Sequence, residues 1–255
     1  MSIALAAALF IGFILVHAIK LMRLYLILVE EDIPFGRFVP AYFRTTLLNL
    51  IIPYKLGEIY RIGVFARITG GFRIGFLSVL VDRFFDTLAL VLILLPYQLV
   101  ISGRITLPVL LLFVFVVCVV FFYLVFPSTY TFLNRYIIVK RTSSRSLAVL
   151  GGLEAVHEWY EYVKKLVTGR YGMLTLFSFG AWIGEIMVLA GFYKLWGNDF
   201  ALNDFGGYIE SIVSGGTYSL KERYSLISII IILAITVITL AMYLIKKTVK
   251  SRMEE

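Results

Sequence analysis

Five runs of about 20 or more mostly apolar residues dominate the chain, and runs of that length need the hydrocarbon of a bilayer as their solvent. They cover roughly 3–28, 74–101, 106–126, 171–196 and 225–246. Backbone amides have no water to bond with in hydrocarbon, so each run is predicted to be a spanning α-helix. Of the 255 residues 60% are hydrophobic and only 16% charged, outside the range of soluble domains. The fold class expected is an all-α integral membrane protein. The joints between runs, such as SGR at 102–104, are too short to separate soluble domains, so 1–255 is read as a single polytopic membrane domain. The opening MSIALAAALF has neither a basic flank nor a small-residue cleavage site, and is expected to be a retained helix.

Composition removes several function classes. The one cysteine, Cys118, lies inside an apolar run, and His17 and His157 lie on separate segments, so neither a metal site nor a cofactor is expected. The net charge of +8 comes from Lys and Arg flanking the apolar runs, which argues against nucleic acid as a partner and for membrane orientation. Arg37, Arg44, Arg67 and Arg73 lie between the first two runs, with Lys20 and Arg23 just before them. Arg135, Lys140, Arg141 and Arg145 follow the third run, and Lys246, Lys247, Lys250 and Arg252 the fifth. Asp199, Asp204 and Glu210 follow the fourth. Basic loops stay in the cytoplasm, so the expectation is a multi-pass protein of the plasma membrane with its N-terminus outside and its C-terminus inside.

Residues 147–170 carry too many charges to span. Leu153, Val156, Tyr160, Val163 and Val167 recur at helical spacing, which predicts an amphipathic helix at the interface, with partner docking as an alternative use. Two further stretches are neither long enough to span nor polar enough to be plain loops. The first, 45–67, breaks at Pro53 to Gly57, where a residue without an amide proton and one without a side chain end one half-helix and begin another. The second, 206–224, breaks at Ser214, Gly215 and Gly216 and continues to Glu222. Both are predicted to be re-entrant hairpins entering from opposite sides, with a polar pocket where they meet. The half-helix starting at Gly57 would point its free N–H groups into that pocket, and Lys55 and Arg61 add positive charge beside Glu58, a setting that favours an anion such as phosphate.

LSVLVDRFFDTLAL places Asp82, Arg83 and Asp86 well inside the second run. An ionised group at that depth costs on the order of 3 kcal/mol unless paired or hydrated. Spacings of three and four bring the three side chains to one helix face, expected to line the same pocket or to form an internal lock. Glu58 with Arg61, and Lys221, Glu222 and Arg223, have bland alternatives as an interfacial pair and a headgroup marker.

The order Asn49, Pro53, Gly57-Glu58, Arg61, then Asp82-Arg83 and Asp86, resembles the membrane region of the lysylphosphatidylglycerol synthetase/flippase family. Its hallmark is P-x-x-x-G-E-x-x-R followed by E-R-x-x-D, with Asp82 here in place of the family glutamate. Ser214-Gly215-Gly216 followed by Glu222 is similar to a second signature, G-G-x-G-x-x-E, but Tyr218 and Ser219 depart from it. The resemblance implies a helical bundle with two re-entrant hairpins. It also implies translocation of lipids such as aminoacylated phosphatidylglycerol, or service to glycosyltransferases that use polyprenyl-phosphate sugars. Aminoacyl transfer in that family belongs to a soluble C-terminal domain, and none is expected in this chain; one helix that many relatives carry ahead of the first run is also expected to be missing.

The function expected is translocation of a phosphate-bearing lipid, either a phospholipid or a polyprenyl-phosphate-linked sugar, without catalytic residues. The partner is then a lipid with an anionic headgroup. No G-x-x-x-x-G-K-[ST] loop occurs, so movement would be passive or coupled to an ion gradient, with Glu58, Asp82 or Asp86 as proton carriers. The rival readings are a scaffold for a glycosyltransferase docked through 147–170, and an enzyme acting on a lipid phosphate; a homo-oligomer is left open. A fluorescent protein fused after Glu255 should fluoresce and a fused alkaline phosphatase should be inactive, and the opposite pair of results would invert the topology.

Overall fold

A computed structural model describes residues 3–52, 56–140, 144–214 and 219–253. Among these the chain is almost wholly helical and forms no strand. In chain order the helices are α1 Ile3–Ile27, α2 Phe35–Ile51, α3 Gly57–Thr69, α4 Phe72–Tyr97, α5 Leu107–Lys140, α6 Ser144–Val167, α7 Tyr171–Leu195, α8 Leu202–Ser214 and α9 Ser219–Met253. Five of the helical stretches are long and apolar enough to cross a membrane: Ala4–Ile27, Phe72–Ile101, Leu107–Val139, Tyr171–Leu195 and Lys221–Lys246. Large apolar side chains such as Leu107, Phe121, Leu124, Leu176 and Met187 are exposed along them, as lipid-facing surfaces require. The protein is a multi-pass membrane protein.

The chain divides into two compact units, Met1–Leu90 with Gly172–Glu255, and Val91–Tyr171. In the first, α1 and α7 pack antiparallel through small residues. A side chain at Gly184 would meet Val16, one at Gly191 would meet Leu9, and Gly12 faces Val188, so numbers rise along one helix as they fall along the other. Hydrophobic burial gives no preference for helix over lipid here, and close backbone approach at glycines supplies the dispersion contacts instead. The same register sets Lys20 and Arg23 of α1 beside Glu185 and Ser178 of α7.

The α2–α3 pair is held by a tighter approach. A Cβ on Gly57 would lie 2.5 Å from the Asn49 Cα, and one on Gly75 would overlap the backbone of Ala66, so α2, α3 and α4 meet with almost no side chain between them. At 17 and 13 residues, α2 and α3 are about 26 Å and 20 Å long, short of a hydrocarbon core of about 30 Å. The expected break falls between them; Pro53 and Lys55 themselves lie outside the described residues. α9 lies along α2. It starts beside the far end of α7, where Arg223 sits over the Trp196 ring and Tyr224 meets Phe192 edge-on. Ser214 ends α8 and Ser219 begins α9, and Gly215 and Gly216 between them lie outside the described residues.

The second unit differs from expectation. The third apolar run is read from sequence as roughly 106–126, whereas α5 continues through Pro127 to Lys140, about 50 Å in all. A proline removes one intrahelical bond, and a helix paired along its length absorbs that loss. The pairing comes from α6, which is the predicted amphipathic helix at slightly shifted bounds. His157 stacks on Tyr130 at 3.8 Å, Tyr130 donates to Glu154, and Tyr160 packs on Tyr123 and Phe126. Thus α6 uses an aromatic face against α5.

Substituting Gly75 by leucine should lower the apparent melting temperature in detergent, with a cost on the order of 1–3 kcal/mol from overpacking. Gly172→Ala, where a Cβ meets nothing within 4 Å, should leave it unchanged or slightly raised.

Candidate functional site

The charges that interrupt the apolar runs gather into one cluster inside the first unit. Its hub is Asp82, fully buried on α4 and facing three guanidinium groups. Arg23 of α1 donates from Nε to Asp82 Oδ1 at 2.8 Å and from Nη1 to Asp86 Oδ1 and Ser178 Oγ, each at 2.9 Å. Arg83 donates from Nη2 to Asp82 Oδ2 at 2.9 Å. Arg61 of α3 lies 3.3 Å from that same oxygen, its guanidinium 5.7 Å from the Tyr42 ring centre. Two outer carboxylates complete the set. Asp86 lies 3.6 Å from Arg83, and Glu58 lies 3.5 Å from Arg83 and 3.8 Å from Arg61. Asn49 of α2 donates to Glu58 at 2.7 Å, and Trp182 of α7 donates to the Asp86 carbonyl at 3.0 Å.

The helices explain this convergence. Residues 82, 83 and 86 share one face of α4 through helical spacing. Glu58 and Arg61 share a face of α3, and the close α3–α4 contact at Gly75 delivers that face to α4. Arg23 arrives because α1 is locked to α7 by the glycine register. Burying a charge in oil is tolerated when its partners satisfy it, and removing one partner of such a set typically costs about 3–5 kcal/mol.

The sequence anticipated a cationic pocket, and the described cluster is instead charge-balanced: Arg23, Arg61 and Arg83 face Glu58, Asp82 and Asp86. The imbalance expected from Lys55 lies outside the described residues. The cluster is also unevenly tied. Arg23 and Arg61 are buried, while the Arg83 side chain is 37% exposed. Arg83's contacts to Glu58 and Asp86 exceed ordinary charge-assisted hydrogen-bond lengths. The shielded atoms Arg61 Nε, Arg83 Nε, Glu58 Oε2 and Asn49 Oδ1 make no hydrogen bond among the described residues. Polar atoms held this way carry unused capacity for a polar guest.

Of the remaining residues picked from sequence, Gly57 is the first residue of α3 and sits against Asn49. Ser214 ends α8, and Glu222 is exposed in the first turn of α9 with no contact to the cluster among the described residues. Sequence reasoning passed over Arg23, treating it as an orientation signal. It also missed a neighbouring buried group. Lys20 donates to Glu185 at 2.8 Å, Tyr224 donates to the other oxygen of Glu185 at 2.8 Å, and His17 is buried on the same helix as Lys20. The available signal was position: Lys20 and Glu185 stand seven and ten residues inside their helix ends. No group of three or more His, Cys, Asp or Glu side chains suited to a metal occurs among the described residues.

Replacing Arg23 by methionine should leave Asp82 and Asp86 short of a partner and destabilise the fold by about 3–5 kcal/mol. Adding Asp86→Asn should recover part of that loss, and a melting-temperature series checks both. No recovery in the double variant would show that Arg23 acts through packing alone.

No curated protein and no solved structure matches the chain. A family model described as the lysylphosphatidylglycerol synthase TM region does match, over residues 1–209, a stretch that contains the whole cluster and stops short of the Ser214–Gly216 break. The chain therefore belongs to the lysylphosphatidylglycerol synthase transmembrane-region family.

Proposed function

We propose that this membrane domain translocates a phosphate-bearing lipid, and that Arg83 is the residue that receives the phosphate. The observation that carries the reading is the asymmetry of the cluster. Arg83 is anchored to Asp82 at 2.9 Å but held only at 3.5–3.6 Å by Glu58 and Asp86, and it is the partly exposed member. A phosphate oxygen placed at Arg83 replaces Glu58 with a partner that makes shorter, bidentate hydrogen bonds. Arg61 shares Glu58 and the Asp82 Oδ2 oxygen with Arg83, so a guest that displaces Glu58 also changes the surroundings of Arg61. The acyl or prenyl tails remain in lipid throughout, so only the headgroup needs a polar path.

Because the cluster is charge-balanced, an arriving phosphate supplies a negative charge in excess, and Glu58, with ion pairs of 3.5 and 3.8 Å, is the carboxylate most readily displaced from Arg83. Its Oε2 makes no hydrogen bond, and its other oxygen is held by Asn49. Asp82 accepts from Arg23 and Arg83 and is ion-paired with Arg61, and so serves as a fixed anchor, a poor carrier for a proton in transit. In this reading the short α2–α3 hairpin enters the bilayer from one face to bring Glu58 and Arg61 to α4. The domain performs no bond-breaking step, and its partner is a lipid with an anionic headgroup in the plasma membrane.

In vesicles containing the purified protein, with a headgroup-accessible fluorescent phospholipid and an external quencher, Arg83→Gln should slow lipid movement at least about tenfold, the loss of one charge-assisted contact. Glu58→Gln should alter the rate, and its melting temperature should fall less than that of Arg23→Met, because its ion pairs are the longer ones. Undiminished movement in a folded Arg83→Gln protein contradicts the proposal.

A further inference from the structure

A second basic feature lies away from the cluster, on the face where α2, α3 and α9 meet. A recess of about 220 Å³ opens there, lined by Arg37 and Arg44 of α2, Ile68 of α3, and Thr236, Leu240 and Tyr243 of α9. We infer that this recess holds the phosphate of an anionic glycerophospholipid as a bound lipid, separate from any lipid being moved. The inference makes no use of the Arg83 cluster and stands or falls independently of it.

Three observations support it. Arg37 and Arg44 are seven residues apart, two turns on one face of α2, so both guanidinium groups border the same opening. No carboxylate lines the recess, and neither arginine takes part in an ion pair among the described residues; Arg44 lies 5.6 Å from the Tyr60 ring instead. Both arginines are exposed, so their guanidinium groups are open to an incoming anion, and the membrane's own headgroups are the ready source. Charge and wall chemistry also match one molecule: guanidinium groups and the Tyr243 hydroxyl for a phosphate diester, Ile68 and Leu240 for the glycerol and first acyl carbons.

Depth agrees with a headgroup. Arg37 stands in the first turn of α2, and Tyr243 stands three residues before Lys246, where the apolar span of α9 ends. Lys246 adds a further exposed cation near that end. Basic recesses between helices at the end of a span are the setting in which anionic headgroups are selected over neutral ones. Inorganic phosphate shares the same anion chemistry but cannot use the apolar wall.

The test uses the full chain reconstituted in vesicles of equal phosphatidylglycerol and phosphatidylcholine, followed by gentle extraction and native mass spectrometry of the lipid retained. The wild type should retain phosphatidylglycerol in preference to phosphatidylcholine. Arg37→Gln with Arg44→Gln should reduce that preference at least about tenfold, while the charge-matched Lys164→Gln with Lys165→Gln on α6 should keep it. If the glutamine pair fails to fold, Arg37→Lys with Arg44→Lys keeps the charge and should retain most of the preference. The inference is overturned if either arginine pair, folded, behaves oppositely, if the α6 pair loses the preference equally, or if millimolar inorganic phosphate strips the retained phosphatidylglycerol.

Discussion

A carboxylate buried in a membrane protein and shared by three guanidinium groups is the constraint from which most of this structure follows. Asp82 is tolerable inside α4 because Arg23, Arg61 and Arg83 reach it from three directions. To supply them, α1 must be locked beside α4, and α3 must lie against it closely enough to deliver a side chain. The glycines at the helix crossings meet these needs. Gly184 and Gly191 fix the α1–α7 register that aims Arg23, and Gly57 and Gly75 let α2, α3 and α4 close on one another. Small residues do in oil what hydrophobic burial does in water, and the charges they bring together then become costly to separate.

This ordering also explains how a closed ionic set can serve a transport function. A rigid lock would distribute its shortest contacts evenly. Here the short contacts converge on Asp82 and Arg23, and the long ones surround Arg83 and Glu58. The inner pairs hold the helices, and the outer pair can exchange partners. A charged headgroup crossing hydrocarbon alone faces the same penalty as an unpaired side chain. A guanidinium that trades a carboxylate for a phosphate gives the headgroup a charged partner inside the hydrocarbon, and the displaced carboxylate becomes the group in excess.

The parts of this arrangement that local sequence could show were those in which charge interrupts grease. Glu58 and Arg61 beside a proline–glycine break, and Asp82, Arg83 and Asp86 at helical spacing inside an apolar run, stand out without any knowledge of the fold. Arg23 did not, because a cation four residues from a helix end has the same local pattern as an orientation signal, and only the α1–α7 register turns it inward. Glu185 was lost within an apolar run for the same reason: its meaning depends on Lys20 and Tyr224, which are distant in sequence. The balance of the described cluster could not be read locally, because it is a sum over long-range neighbours such as Arg23. The extent of α5 was misjudged because Pro127 and the basic residues after it read as an exit, while the aromatic pairing with α6 that sustains the helix lies a loop away.

The central claim is that the Arg83 guanidinium exchanges Glu58 for a lipid phosphate. Solid-state NMR on protein with ¹⁵N-labelled arginine, reconstituted in phosphatidylglycerol, measures it directly through nitrogen–phosphorus dipolar coupling. The account predicts a guanidinium signal with phosphorus at roughly 4 Å that disappears in Arg83→Lys. An identical set of couplings in the wild type and in Arg83→Lys would contradict it.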